Sequence, residues 1–184
     1  MHIANVKYCD IANGPGVRTS VFVSGCTHRC PGCFNQVAWD FAYGTPYTDA
    51  MEEDILESLR PEYVSGLSLL GGEPLEPENQ ETVGRLVEKV RSLYPGKSIW
   101  CYSGYTFEEL TGQKTARCRT EGLPRLLSGM DVLVDGEFVE ALRDISLRFR
   151  GSSNQRLLYL PASLKEGRPV FWRDDPQFET HAMR

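Results

Sequence analysis

The sequence lacks the features that would direct it to a membrane. No uninterrupted apolar run is long enough to cross a bilayer, and Met1-His2-Ile3-Ala4-Asn5 has neither the basic start nor the apolar centre of a signal peptide. These absences point to the cytoplasm, with no membrane partner expected. Positive charge is also scarce. A formal net charge of −5 argues against a direct nucleic-acid partner for the molecule as a whole. Arg143, Arg148, Arg150 and Arg156 leave room for a local basic face, whose plainer reading is a solvated surface. Internal repeats, low-complexity stretches and long linkers are missing too. What remains is 184 residues, 41% hydrophobic and 24% charged, which reads as one globular domain over 1–184.

Cysteine is present but unevenly placed. Of six cysteines, three crowd into the eight residues Cys26-Thr27-His28-Arg29-Cys30-Pro31-Gly32-Cys33, whereas Cys9, Cys101 and Cys118 are scattered. A cytosolic chain of this size has little need of disulfides, so the scattered three read as isolated thiols, buried or partly buried. The crowded three read as a ligand set. Thiolates are soft donors that suit iron–sulfur chemistry or zinc, and their spacing does not choose between the two. A zinc site would recruit His28, His2 or Cys9. In a cubane cluster, three protein ligands leave one corner open, with Pro31 and Gly32 turning the chain so that the sulfurs point inward.

Hydrophobic periodicity supplies the framework. Val17 to Val23 reads as a strand, approached through the turn Gly14-Pro15-Gly16 and left through Gly25 into the cysteine loop. A helix is expected from Thr48 or Asp49, where Asp49 and Glu52 have capping-box spacing and Ile55, Leu56 and Leu59 form an inward stripe. Leu67 to Leu70 is a short strand. Glu78 to Leu93 is a helix, with Val83, Leu86, Val87, Val90 and Leu93 at helical spacing. Further strands are expected at 98–102, 131–134 and 156–160, with a second capping box at Thr106 and Glu109. Alternating strand–turn–helix units imply a parallel α/β sheet. The chain is short for a closed (β/α)8 barrel, typically about 250 residues. An incomplete, open parallel (β/α) barrel fits better, its gap admitting a large partner.

The cysteine loop, Gly71-Gly72-Glu73-Pro74, Ser103-Gly104 and Asp135-Gly136 all follow strands, so a parallel fold brings them to one rim. Glu73 offers a hydrogen-bond acceptor for an ammonium group, although the same turn also reads as a tight, exposed strand exit. Phe34 either shields a metal centre or packs in the core. Tyr102 and Tyr105 are placed near the same rim, while Trp39 and Trp100 are core or near-core residues. His28 is given no role as a base. Asn13 and Arg18 either orient a ligand or partner, or bridge loops.

The segments Asn13-Gly14-Pro15-Gly16-Val17-Arg18, Val21-Phe22-Val23-Ser24-Gly25, the cysteine motif with Phe34-Asn35, Gly71-Gly72-Glu73-Pro74 and Gly151-Ser152-Ser153-Asn154-Gln155-Arg156 span much of the chain. Together they resemble the activating proteins of anaerobic ribonucleoside-triphosphate reductases, within the radical S-adenosylmethionine family. The resemblance implies that family's incomplete parallel (β/α) barrel. It also implies a [4Fe–4S] cluster on Cys26, Cys30 and Cys33, whose open iron binds the methionine end of S-adenosylmethionine. The turn Gly71, Gly72, Glu73, Pro74 corresponds to the methionine-binding turn, and Gly32, Cys33 and Phe34 to the cluster-adjacent cofactor segment. Ser103 and Asp135 fall near the cofactor or the catalytic opening. The implied activity is reductive cleavage of S-adenosylmethionine to install a glycyl radical on the reductase, fed by an external electron donor such as a flavodoxin. The rival readings are an activator of another glycyl-radical enzyme, such as pyruvate formate-lyase, and a zinc-centred interaction protein. Two departures stand out: Asn13 where the family usually has aspartate, and Phe34 where tyrosine is common.

Overall fold

In the computed structural model residues 1–174 are described, and they build a mixed sheet with flanking helices. In chain order the elements are β1 (His2–Asp10), β2 (Val17–Val23), β3 (Thr45–Pro46), α1 (Asp49–Ser58), β4 (Val64–Gly71), α2 (Pro77–Leu93), β5 (Ser98–Ser103), α3 (Phe107–Leu110), α4 (Leu123–Ser128), β6 (Val132–Asp135), β7 (Arg156–Tyr159) and α5 (Leu160–Glu166). Across the sheet the order is β3-β1-β2-β4-β5-β6-β7.

The four central strands β2, β4, β5 and β6 run parallel, as alternating strands and helices require, because a parallel neighbour is reached only through a crossover. Both edges differ from the all-parallel expectation: β1 is antiparallel to β2 and β3, and β7 is antiparallel to β6. The turn between β1 and β2 is too short for a crossover, so that pair folds as an antiparallel ribbon.

The period-2 pattern of the strands sorts two apolar layers. Ile99, Cys101 and Leu133 pack with Ile55, Leu59, Val83, Leu86, Val87 and Val90. Trp100, Val132 and Val134 face the other way, against Phe149, Leu157 and Trp172. The expected stripe of α2 is buried except for Leu93, the last helical residue, which is 57% exposed. In α1 the cap is Thr48, whose Oγ1 accepts the Met51 N–H at 3.2 Å, rather than Asp49. Glu52 is thereby released from capping and is buried in ion pairs with Lys89 and Arg85. The capping box of Thr106 and Glu109 forms as expected. Cys101 and Cys118 are buried, and Cys9 is exposed.

The segment around Asn13 and Arg18 bridges elements. Arg18 is fully buried, and its guanidinium donates to Ser68 Oγ (2.7 Å), Ser98 Oγ (2.9 Å) and the carbonyls of Leu67 (2.8 Å), Ser98 (2.9 Å) and Pro15 (3.3 Å). Asn13 Nδ2 donates to Asp10 at 2.6 Å, and its carbonyl accepts the Ser68 hydroxyl at 2.5 Å. Arg18 lies near the start of β2, so this network sits at the strand end opposite the cysteine loop. Of the four arginines of the basic face, three are likewise engaged in internal contacts, and Arg143 is exposed. Arg148 pairs with Asp174, Arg150 donates to the Gln155 carbonyl, and Arg156 pairs with Asp135 and Glu108. No helix among the described residues is long and apolar enough to cross a membrane.

Candidate active site

Parallel strands end on the same side, and the loops leaving β2, β4, β5 and β6 meet there through hydrogen bonds. Gly72 N–H donates to the Val23 carbonyl (2.7 Å) and Glu73 N–H to the Gly25 carbonyl (2.8 Å), which ties the turn after β4 to the root of the cysteine loop. A Cβ on Gly72 would come within 2.5 Å of the Gly25 oxygen and 2.8 Å of the Ala38 oxygen, so this crossing needs glycine.

Glu73 is 1% exposed, and its carboxylate joins three of the loops. Oε1 accepts the Leu75 N–H (2.9 Å) and the Ser103 hydroxyl (2.9 Å), and Oε2 accepts the Gly104 N–H (2.7 Å). Ser103 Oγ in turn accepts the Tyr105 N–H at 3.1 Å. Asp135, fully buried, accepts the Phe107 N–H (2.7 Å) and Arg156 Nε (2.9 Å), fixing the start of α3 and one wall of the site.

The three cysteines of the crowded loop are free and partly buried. Burial, with the nearby Glu73 carboxylate adding to it, pushes the Cys26 thiol up to about 12. Burial also raises Cys30, opposed by the Phe138 main-chain N–H. Thiolate on this loop therefore calls for compensating positive charge, as bound metal supplies. His28, whose side chain is 9% exposed, points Nδ1 at Glu137 Oε1 (2.7 Å) and Nε2 at Glu73 Oε2 (3.4 Å), with its ring edge-on to Tyr105. Burial alone would lower its pKa, but hydrogen bonds and charge from Glu73 and Glu137 outweigh that and carry it to about 9. Among the described residues, no three Cys, His, Asp or Glu side chains converge as ligands of one ion. A cubane cluster does not ask for that convergence, since each thiolate takes a separate iron. Three free thiols on one loop thus fit a cluster, while His28, turned to two carboxylates, is not arranged to complete a zinc site.

Beside the loop lies a cleft of about 560 Å³, lined among others by His28, Gly104, Thr106, Asp135, Gly136 and Arg156. That volume lies in the range of small-molecule clefts. Phe34 stands apart from the core at 84% exposed. Tyr105 is buried at the rim, Tyr102 is partly buried against the Trp100 layer, and Trp100 is core.

Comparison with known proteins agrees with this arrangement. Residues 12–158 match the family model described as a 4Fe-4S single cluster domain. The anaerobic ribonucleoside-triphosphate reductase-activating protein of Escherichia coli K12 is 43% identical over 153 residues, 82% of this chain and 94% of that protein. Its namesake from Vibrio cholerae is 43% identical over 79% of this chain and 90% of its own length. The one from bacteriophage T4 is 36% identical over 85% of this chain and 93% of its own length. The chain belongs to the anaerobic ribonucleoside-triphosphate reductase-activating proteins.

In this activating-protein chain, one site residue escaped the sequence reading. Glu76 is fully buried at the N-cap of α2. Its Oε1 accepts both the N–H (2.7 Å) and the hydroxyl (2.5 Å) of Thr27, inside the cysteine loop. Its Oε2 accepts the Tyr105 hydroxyl (3.3 Å) and pairs with Arg117. The available signal was an acidic residue two positions after Gly-Gly-Glu-Pro, which reads as an ordinary carboxylate at the start of a helix until the loops are brought together.

Proposed function

We propose that this chain is a radical S-adenosylmethionine enzyme that installs a glycyl radical on anaerobic ribonucleoside-triphosphate reductase. Residues 1–184 act as one domain, whose last ten residues lie outside those described, and the sheet serves as the incomplete barrel of that enzyme class. Cys26, Cys30 and Cys33 hold the [4Fe–4S] cluster. When bound, the cluster supplies the electron that splits S-adenosylmethionine into methionine and a 5′-deoxyadenosyl radical, which takes a glycine α-hydrogen from the partner.

The chain's own contribution is placement. Gly32, Cys33 and Phe34 flank the cofactor beside the cluster. The turn Gly71, Gly72, Glu73, Pro74 receives its methionine end, with Glu73 bonded to Leu75, Ser103 and Gly104 so that the turn is rigid before the ligand arrives. Ser103 and Asp135 line the approach. Asp135, neutralised by Arg156, presents a fixed wall rather than a free anion. An external donor such as a flavodoxin delivers the electron, and the site of action is the cytoplasm.

The observation that carries the proposal is the convergence, at one rim, of three free thiols with the loops after β4, β5 and β6, in a member of this family. The test is anaerobic. Reconstituted protein, a strong reductant and S-adenosylmethionine are combined separately with anaerobic ribonucleotide reductase and with pyruvate formate-lyase from the same source. A glycyl radical by electron paramagnetic resonance, with nucleotide reduction, is expected only with the reductase. Activation of pyruvate formate-lyase alone refutes the partner. A stoichiometric zinc site with no reconstitutable cluster refutes the chemistry.

A further inference from the structure

The connection from β6 to β7 runs from Asp135 to Arg156, about 20 residues whose regular structure is limited to one short 3-10 turn and an isolated bridge between Arg143 and Ser152. Connections longer than about 12–15 residues without structure of their own are uncommon in compact domains, and this one is pinned by side chains at its far end. Ser152, fully buried, accepts the Val139 N–H through Oγ at 3.2 Å. Asn154 Nδ2 donates to the Glu137 carbonyl at 2.8 Å. Gln155 Nε2 donates to the Gly136 carbonyl at 2.9 Å, while its Oε1 accepts the N–H groups of Gly151 (2.9 Å) and Ser152 (3.2 Å). Positions 136, 137 and 139 of the main chain are thereby held from one short segment.

The loop held in this way lies on the cysteine loop. Glu137 Oε1 is 2.7 Å from His28 Nδ1. Gly32, with φ of +73°, lies so close to Glu140 that a Cβ would come within 2.7 Å of its carboxyl carbon. Burial does not dictate this placement, because the Glu137 side chain is 57% exposed; directed polar contacts do.

We infer that Gly151–Gln155 is a clamp, in which Asn154, itself on the wall of the cleft, and Gln155 are positioning residues that hold the loop 136–140 against the cysteine loop and so set the shape of that wall. The inference deepens the proposed function, and its first readout does not depend on that function. In cluster-free, full-length protein, the rate of iodoacetamide labelling at Cys30 is followed by peptide mass spectrometry, with exposed Cys9 as the internal reference. Asn154→Asp replaces the donor to Glu137 with an acceptor. Glu137→Ala removes the grip on His28, and Glu137→Gln keeps an acceptor there. Both altered positions are exposed, so the fold should tolerate them.

One lost hydrogen bond of about 1 kcal/mol predicts roughly fivefold faster labelling of Cys30 in Asn154→Asp and in Glu137→Ala. The double variant should be no faster than the faster single, since both open the same contact. Glu137→Gln should stay within about twofold of the wild type. In reconstituted protein at equal iron content, the two disruptive variants should also bind S-adenosylmethionine about fivefold more weakly. Unchanged Cys30 labelling in both single variants, or multiplicative rates in the double, overturns the clamp. Faster Cys30 labelling in a protein whose wild type binds no S-adenosylmethionine sustains the clamp and removes the cofactor reading instead.

Discussion

Replacing Glu76 with alanine is the perturbation that best isolates how this fold holds its cysteine loop. The carboxylate is fully buried and accepts two hydrogen bonds from Thr27, one long one from Tyr105, and an ion pair from Arg117. Hydrogen bonds to a charged group contribute about 1.5–3 kcal/mol each, so the Thr27 pair alone is worth about 3 kcal/mol or more. The 3.3 Å contact from Tyr105 adds about 0.5 kcal/mol. Arg117 adds little, because it is 45% exposed and keeps Glu78 as a partner. Relief of the buried carboxylate's desolvation works in the opposite direction. The net loss is about 2–3 kcal/mol, which for a chain of this length lowers the melting temperature by roughly 5–10 °C. Calorimetry of the cluster-free protein reads the stability. Iron and sulfide after matched anaerobic reconstitution read the loop, and incorporation should fall markedly. Glu76→Gln should recover most of both losses, since its amide oxygen can still accept from Thr27. A melting temperature within 2 °C of wild type together with full cluster content would refute the assignment of Glu76 as the anchor.

Alanine at Cys26, Cys30 or Cys33 should abolish most iron and sulfide incorporation and the 5′-deoxyadenosine product, whereas changes at Cys9, Cys101 and Cys118 should spare the cluster in whatever fraction folds; near-wild-type values in all three loop variants would contradict the ligand set. Glu73→Gln sets an NH2 group against either the Leu75 and Ser103 donors or the Gly104 N–H, so anaerobic titration should show weaker S-adenosylmethionine binding at equal cluster content, and unchanged affinity would remove the turn from the cofactor site. The pH dependence has a definite sign. Burial alone would raise Glu52, but hydrogen bonds from Lys89, Tyr47 and Arg85 hold its carboxyl below the usual range, and Arg156 does the same for Glu108. Groups depressed in the folded state stabilise fully above their unfolded pKa and lose that contribution as pH falls through the folded one. Melting temperature should therefore drop on acidification below the ordinary carboxylate range, and a Glu52→Gln variant should drop less steeply; equal slopes would count against it.

The sequence by itself determined the local periodicities and the one compact chemical signal. Val17–Val23, the apolar stripe of α2 and the Thr106–Glu109 capping box are patterns of neighbouring residues, and neighbours in sequence remain neighbours in the fold. The cysteine loop was legible for the same reason, as was the convergence of four strand exits, because parallel strands must end on one side. Tertiary structure alone decided the rest. β1 went unread because its apolar positions change parity, Ile3 at an odd position and Val6 and Tyr8 at even ones, across a register shift between Ile3 and Asn5, and its extended form is secured by pairing with β2. The antiparallel edges, the burial of Glu52 under Lys89 and Arg85, and the five acceptors around Arg18 all depend on which distant segments meet. Thr27 and Glu76 are 49 positions apart, and Asn154 reaches back 17 positions to Glu137. A polar side chain has no preferred distant partner in a linear pattern, because hydrogen bonding is satisfied equally well by water. Only when packing removes that water, as it does around the fully buried Glu76, does the carboxylate become bound to particular partners and fix the cysteine loop.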